Sequence, residues 1–166
     1  MNETYVECMV ARKTPAYLIA AKVGLWVLTV LAALGMFATG MIILFFAAVI
    51  FGVVAYFVSV NVDVEYEYLY LDKEISVDKI KGKAKRKRIA TYEVEKMEIL
   101  APINSYHLDN YKNRQAKVND YSSGEANQPD KRYVFFYNGQ EKVILEPSED
   151  LVKAVKNVAP RKVFSD

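Results

Sequence analysis

Between Lys22 and Asp63 the chain carries no charge for forty consecutive positions, residues 23–62. A single helix of that length would reach about 60 Å at 1.5 Å per residue, twice the roughly 30 Å of a bilayer's hydrocarbon layer. The segment must therefore fold back on itself. The predicted reversal is "FATG", Phe37–Gly40, because Gly35 and Gly40 flank it and Ala38 and Thr39 add little bulk. A transmembrane hairpin over residues 16–61 results, with spans of about 17–36 and 41–60, each near the twenty residues a crossing needs. Lys22 lies early in the first span, where its long stem can carry the ammonium to the headgroups. Tyr17, Trp26 and Tyr56 are candidate interfacial anchors, with packing as the competing role for Trp26. Ala20 with Gly24, and Ala48 with Gly52, are spaced for close helix approach.

The leader "MNETYVECMVARKTP" opens with acids, and the apolar run is far longer than a signal-peptide core, so a cleavable signal is not expected. Within it Tyr5, Val6, Met9 and Val10 fall at helical spacing opposite Glu3, Glu7 and Arg12, and Pro15 closes the segment. Residues 1–15 read as an interfacial helix, with a disordered terminus as the competing reading.

Cations number 22 and acids 20, yet seven of the cations stand together in "KIKGKAKRKR": Lys79, Lys81, Lys83, Lys85, Arg86, Lys87 and Arg88. Without them the balance is 15 against 20, so the basic character is local and points to a polyanionic surface or a solvated loop. Topology follows the cations. Arg12, Lys13 and Lys22 precede the hairpin, the basic run follows it, and the reversal has none, which predicts a two-pass protein of the cell membrane with both termini cytoplasmic.

After Asp63 the period changes to two. "VEYEYLYLD" sets Val64, Tyr66, Tyr68 and Tyr70 on one face against Glu65 and Glu67, and "EISVDKI" alternates again, so the pair predicts a hairpin turning at Asp72 and Lys73. Eight residues at some 3.3 Å each carry the chain roughly 26 Å out and the second strand returns it, so the turn holding Lys81, Lys83, Lys85 and Arg86 should lie near the headgroups. "RIATYEV", "EKMEILA" and the weaker "QAKVNDY" read as strands, "SSGEANQPD" as a loop, and "KRYVFFY-NG-QEKVILE" as the clearest hairpin. A C-terminal helix follows, with Pro147 in its first turn and a stripe of Leu151, Val152, Val155 and Val158 to cover an open edge or mouth of the sheet.

Six or seven antiparallel strands closed by one helix give the element order of a PH-like β-barrel, an α+β soluble domain over residues 62–166. Val64 to Phe164 resembles the bacterial PH-like domains that follow paired membrane spans. "YLYLDKEISVDKIKGKAKRKRIATYEVEKMEILAP" with the "MNETYVE" start is similar to an uncharacterised family of small two-span membrane proteins from Gram-positive bacteria. The resemblance implies a fold and a membrane setting, with no functional residues to carry over. The chain departs from that pattern at Lys73, where relatives tend to carry glycine after the turn aspartate.

Cys8 and His107 are the only residues of their kinds, so no intrachain disulfide and no thiol set for zinc can form, and His107 reads as a surface or packing residue. No metal, cofactor or catalytic residue is expected. The chain has no HExxH, GxSxG, P-loop or paired-cysteine motif, and Glu93, Glu95 and Glu98 read as a solvated strand face. Nucleic acid is not an expected partner, since no helix-turn-helix or RRM signature is present, and a nuclear import signal does not suit a membrane hairpin. A transport path is disfavoured by spans without acid or histidine. The expected function is a non-catalytic binding or scaffold role, with the seven cations meeting acidic lipid headgroups or a protein partner. The alternative is an accessory subunit of a membrane protein complex in which the basic run only fixes topology.

Overall fold

The computed structural model describes residues 5–127 and 129–165; Glu3 of the leader, Gln128 of the loop and Asp166 lie outside the described residues. The chain forms two compact units, one built from Thr14–Val64 with Lys81–Lys85, the other from the remainder.

The first unit is a helix pair. Helix α1 spans Ala16–Thr39 and α2 spans Ile42–Val62, both long and apolar enough to cross a membrane. Helix α1 runs three residues past the predicted end, so the reversal falls at Gly40 and Met41. Thr39 turns its hydroxyl back to the Gly35 carbonyl at 2.7 Å within that last turn, and Gly40 then takes the left-handed conformation at φ 70°. Only glycine adopts this routinely, and its N–H closes on the Met36 carbonyl at 2.8 Å. Trp26 donates its indole N–H to Ser59 Oγ at 3.3 Å, so it serves the contact between the helices. Lys22 pairs with Asp63 at 2.9 Å, and Thr29 lies against Gly52, where an added Cβ would meet its methyl at 3.5 Å. Positions 22, 26 and 29 share one helical face; Gly24 lies off it and has open space around it, so of the two predicted small pairs only the one containing Gly52 takes part.

Among the described residues the second unit holds eight strands in two four-stranded sheets. In the first sheet β1 (Val6–Ala11), β2 (Val64–Leu71), β3 (Glu74–Lys81) and β4 (Lys85–Glu93) lie in chain order. In the second the order is β5 (Met97–Pro102), β7 (Tyr133–Tyr137), β8 (Glu141–Leu145) and β6 (Lys117–Asp120), with β6 parallel to β8. The expected closed barrel of six or seven antiparallel strands is therefore corrected to two separate sheets of four, one containing a parallel pair.

The predicted interfacial helix at the N-terminus is corrected to strand β1. Val6, Cys8 and Val10 are half-buried while Glu7, Met9 and Ala11 are exposed, and the strand pairs antiparallel with β2 from Val6 opposite Tyr70 to Ala11 opposite Glu65. The same residues satisfy period two as well as a helical spacing; the free edge of β2 decides, because it supplies backbone partners that a lone short helix lacks.

The tyrosines of β2 are buried as the alternation requires, with Ile75 and Val77 from β3 beside them. Tyr68 donates to the Tyr121 carbonyl at 2.5 Å, and burial pushes its hydroxyl pKa well up. In the second sheet, Phe135, Val143 and Leu145 are wholly buried. Ile99, Ala101, Val134 and Phe136 face a separate cluster with Leu108, backed by Tyr111 and Phe164. Asn138 and Gly139 both take positive φ, 49° and 67°, in the tight turn that "NG" predicts. Helix α3 spans Glu149–Val158 and is capped by Ser148, whose hydroxyl accepts from Leu151 N–H at 3.3 Å. Pro147 thus precedes the cap instead of occupying the first turn. Leu151, Val152 and Val155 are buried as predicted, with Ala154 added, while Val158 is 42 % exposed. The edge of β5 is covered by the tail beyond α3: Leu100 N–H donates to the Lys162 carbonyl and Phe164 N–H to the Leu100 carbonyl, both at 2.8 Å.

Candidate functional site

Six of the seven cations of the basic run are built into strands, and Lys83 stands in the turn between them. Lys79 and Lys81 close β3, Gly82 to Ala84 form the turn, and Lys85 to Arg88 open β4. The turn is tight enough that both Gly82 and Lys83 take positive φ, 56° and 57°. The expectation of a turn holding Lys85 and Arg86 is corrected accordingly, and the correction matters because a strand sends successive side chains to opposite faces.

The turn belongs to the helix unit. Gly82 N–H donates to the Asp63 carbonyl at 2.8 Å, just past the end of α2, and Lys81 Nζ donates to Asn61 Oδ1 at 3.0 Å. A Cβ on Gly82 would touch Val60 at 3.4 Å. Thr14 Oγ1 donates to the Val62 carbonyl at 3.1 Å, and the Lys22–Asp63 pair lies at this same end of the helices. Lys22, Lys81, Lys83 and Lys85 are thus collected where the two apolar helices stop, against one carboxylate, Asp63. Neither Lys83 nor Lys85 has an ion pair with a described residue, and both are exposed.

In the sheet unit, Arg86 and Arg88 are committed elsewhere. Arg86 Nε donates to Asp78 Oδ2 at 2.8 Å and Arg88 Nε to Asp78 Oδ1 at 2.9 Å, while Arg86 Nη2 reaches Glu67 Oε2. Asp78 and Glu67 are 4 % and 2 % exposed, so these arginines neutralise carboxylates that burial would otherwise make costly. Burial alone would raise the pKa of Asp78; the two guanidinium hydrogen bonds outweigh it and hold the carboxyl below its ordinary value. Glu67 goes the other way. Burial, and then a hydrogen bond shared with Glu7, push it up against the opposing charge of Arg86. Glu7 is correspondingly lowered, first by that shared bond and then by the hydroxyl of Tyr5, which donates to it at 2.8 Å. Lys79 lies 5.8 Å from the centre of the Tyr66 ring, with Arg12 at 6.0 Å. Lys87 has no ion pair with a described residue.

The seven predicted contacts therefore split. Lys81, Lys83 and Lys85 gather at the helix ends, Arg86 and Arg88 bind buried acid, Lys79 stacks on an aromatic ring, and Lys87 stays exposed. The acids that divide them, Glu67 and Asp78, are not among the predicted contacts. The signal was present, since "SVD" places Asp78 out of phase with the apolar Ile75 and Val77, as Glu67 is with the tyrosines of β2.

Glu93, Glu95 and Glu98, expected on a solvated strand face, each take a separate cationic partner. The three pair with Lys96 at 2.6 Å, Lys73 at 3.6 Å and Arg114 at 2.6 Å respectively, and a short 3-10 turn at Val94–Lys96 replaces the strand that was to align the first two. His107 stacks on Phe164, ring centres 3.7 Å apart, and Cys8 points its thiol toward the Glu146 carbonyl at 3.7 Å. Among the described residues no three His, Cys, Asp or Glu side chains converge as a metal would require.

Two apolar helices followed by a sheet-built domain with a C-terminal helix define the class: a PH-like domain attached to a helix pair. Residues 2–165 match the family described as Bacterial PH-like domain (DUF6106), and the chain belongs to that family. No curated protein and no solved structure matches it.

Proposed function

We propose that the chain is a membrane-anchored binding or scaffold protein that meets acidic lipid headgroups of the cytoplasmic leaflet through Lys83 and Lys85, with Lys81 and Lys22 behind them. One observation carries the reading: these ammonium groups collect at the end of a helix pair long enough to cross a bilayer, and the two foremost have no carboxylate among the described residues to neutralise them. A cation beside an anionic leaflet gains about 1 kcal/mol. The helices alone supply far more anchorage than that, so the lysines serve orientation and headgroup choice. Both termini fall on the cytoplasmic side in this reading, because the cations crowd the end of the hairpin from which both chain directions leave.

The test uses the full chain in vesicles. Amine-reactive labelling read by mass spectrometry should modify Lys83 and Lys85 several-fold more slowly in vesicles containing phosphatidylglycerol than in pure phosphatidylcholine, with Lys153 as the exposed reference. The difference should shrink as salt shortens the screening length. Equal labelling in the two lipids would remove the headgroup role and leave the accessory-subunit reading, in which the lysines only fix topology.

A further inference from the structure

A cavity of about 690 Å³ in the sheet unit runs along β1. That strand ends the order of its sheet: one side is bonded to β2, the other has no backbone partner among the described residues, and α3 packs against the strand without closing that edge by hydrogen bonds. Cys8, Met9, Val10 and Ala11 line the cavity along that edge. Ser123, Glu125 and Lys131 line it as well, together with the stretch Glu146–Ser148 that leads into α3. One end is tied shut just beyond the strand, where Lys13 N–H donates to the Ser123 carbonyl at 2.8 Å and Lys13 Nζ pairs with Glu125 at 2.7 Å.

We infer that this groove binds an extended peptide segment, which adds to the open edge of β1 as a further strand. An unpaired strand edge offers a row of backbone donors and acceptors whose natural partner is another extended backbone. Four residues of edge at about 3.3 Å each present some 13 Å, enough for a short strand, and the volume lies within the roughly 300–1,000 Å³ of binding clefts. The walls decide the occupant. A second copy of the chain would have to bring its own sheet edge between the Ser123 segment and the start of α3, whereas a single isolated strand needs no such clearance.

The groove's charges set the peptide's chemistry. Glu125 is taken by Lys13, but Glu146 uses Oε1 for Ser123, accepting from its N–H at 3.2 Å and its hydroxyl at 2.5 Å, and has no ion pair with a described residue. Lys131 likewise has none. A segment with one basic and one acidic residue complements this pair and fixes its own direction along β1. This role is independent of the headgroup contact.

The test presents an array of ten-residue peptides to the full chain in detergent micelles, then follows the binders by hydrogen exchange. Binders should carry both charge signs, slow the exchange of amides within Val6–Ala11, and protect Cys8, the only thiol in the chain, from iodoacetamide. Glu146→Gln and Lys131→Gln, each checked for an unchanged thermal transition, should weaken those binders about tenfold, the loss of one charge-assisted contact. If no peptide binds above background, or binders leave the β1 amides exchanging freely, the inference is wrong. A concentration-dependent dimer with β1 protected in the absence of peptide overturns it too, by assigning the edge to a second copy.

Discussion

The two sheets of the PH-like domain have the same number of strands but opposite treatments of their faces. The second sheet is covered on both sides: Phe135 and Val143 face one core, Val134 and Phe136 another, and "YVFFY" reads as a nearly unbroken apolar run. The first buries tyrosines on one face and carries Glu7, Glu67, Asp78, Arg86 and Arg88 on the other. Burial of carbon holds the second sheet together. The charged face of the first is held by ion pairing, whose net contribution depends on who partners whom and on pH.

This contrast sets the order of effects. Phe135→Ala removes a wholly buried ring from the second sheet and should cost about 3–5 kcal/mol, seen as the largest fall in the thermal midpoint of the full chain in detergent. A fall no greater than that of a surface substitution would show that the second sheet contributes little to the cooperative core.

Asp78→Asn strips the first sheet of the carboxylate that two arginines share. Their half-exposed guanidiniums temper the loss to on the order of 2 kcal/mol at pH 7. The sign follows from a folded pKa below the ordinary 3.8: the stabilisation is complete above the unfolded value and is lost as pH falls through the folded one. The gap between parent and Asp78→Asn should therefore close in strong acid.

Glu67→Gln sharpens the comparison, because its carboxyl is displaced in the opposite direction. With a folded pKa above the ordinary 4.5, its contribution is present below that value and is lost as pH rises through the folded one. The variant should be no less stable than the parent at pH 8 and lose ground to it near pH 4, read as midpoints across a pH series. Parallel curves for Glu67→Gln and Asp78→Asn would mean that the two acids share one environment.

The smallest effect concerns the turns. Asn138–Gly139 in the second sheet and Asp72–Lys73 in the first share left-handed backbone, yet Lys73 sits at φ 65° with a Cβ that this conformation penalises. Lys73→Gly should stabilise by about 0.5 kcal/mol, since the relief of strain exceeds the added chain entropy of glycine only slightly. A loss of stability would show that the pair with Glu95 outweighs the strain.

Much of this architecture is legible in the sequence. The helix reversal was placed within three residues, the tyrosine face of β2 was assigned by alternation, and "NG" located the β7–β8 turn. Strand β1 is not legible in the sequence, because its six residues fit two periods at once. The parallel pairing of β6 escaped because nothing local distinguishes a strand that runs with its neighbour from one that runs against it. In the candidate site the cations were all visible, but their division was not, since Glu67 and Arg86 meet across nineteen positions of sequence.

The sequence by itself determined that forty neutral residues must double back and that a basic cluster leaves close behind them. Helix rise, hydrocarbon thickness and charge are properties of a segment and its solvent, and need no knowledge of neighbours. Only the tertiary structure decided which cations of that cluster have no acid beside them among the described residues and which are bound to buried acid, and whether the leader pairs as a strand. Those outcomes depend on groups brought together from distant parts of the chain, and a carboxylate's partner is fixed by the sheet that carries it.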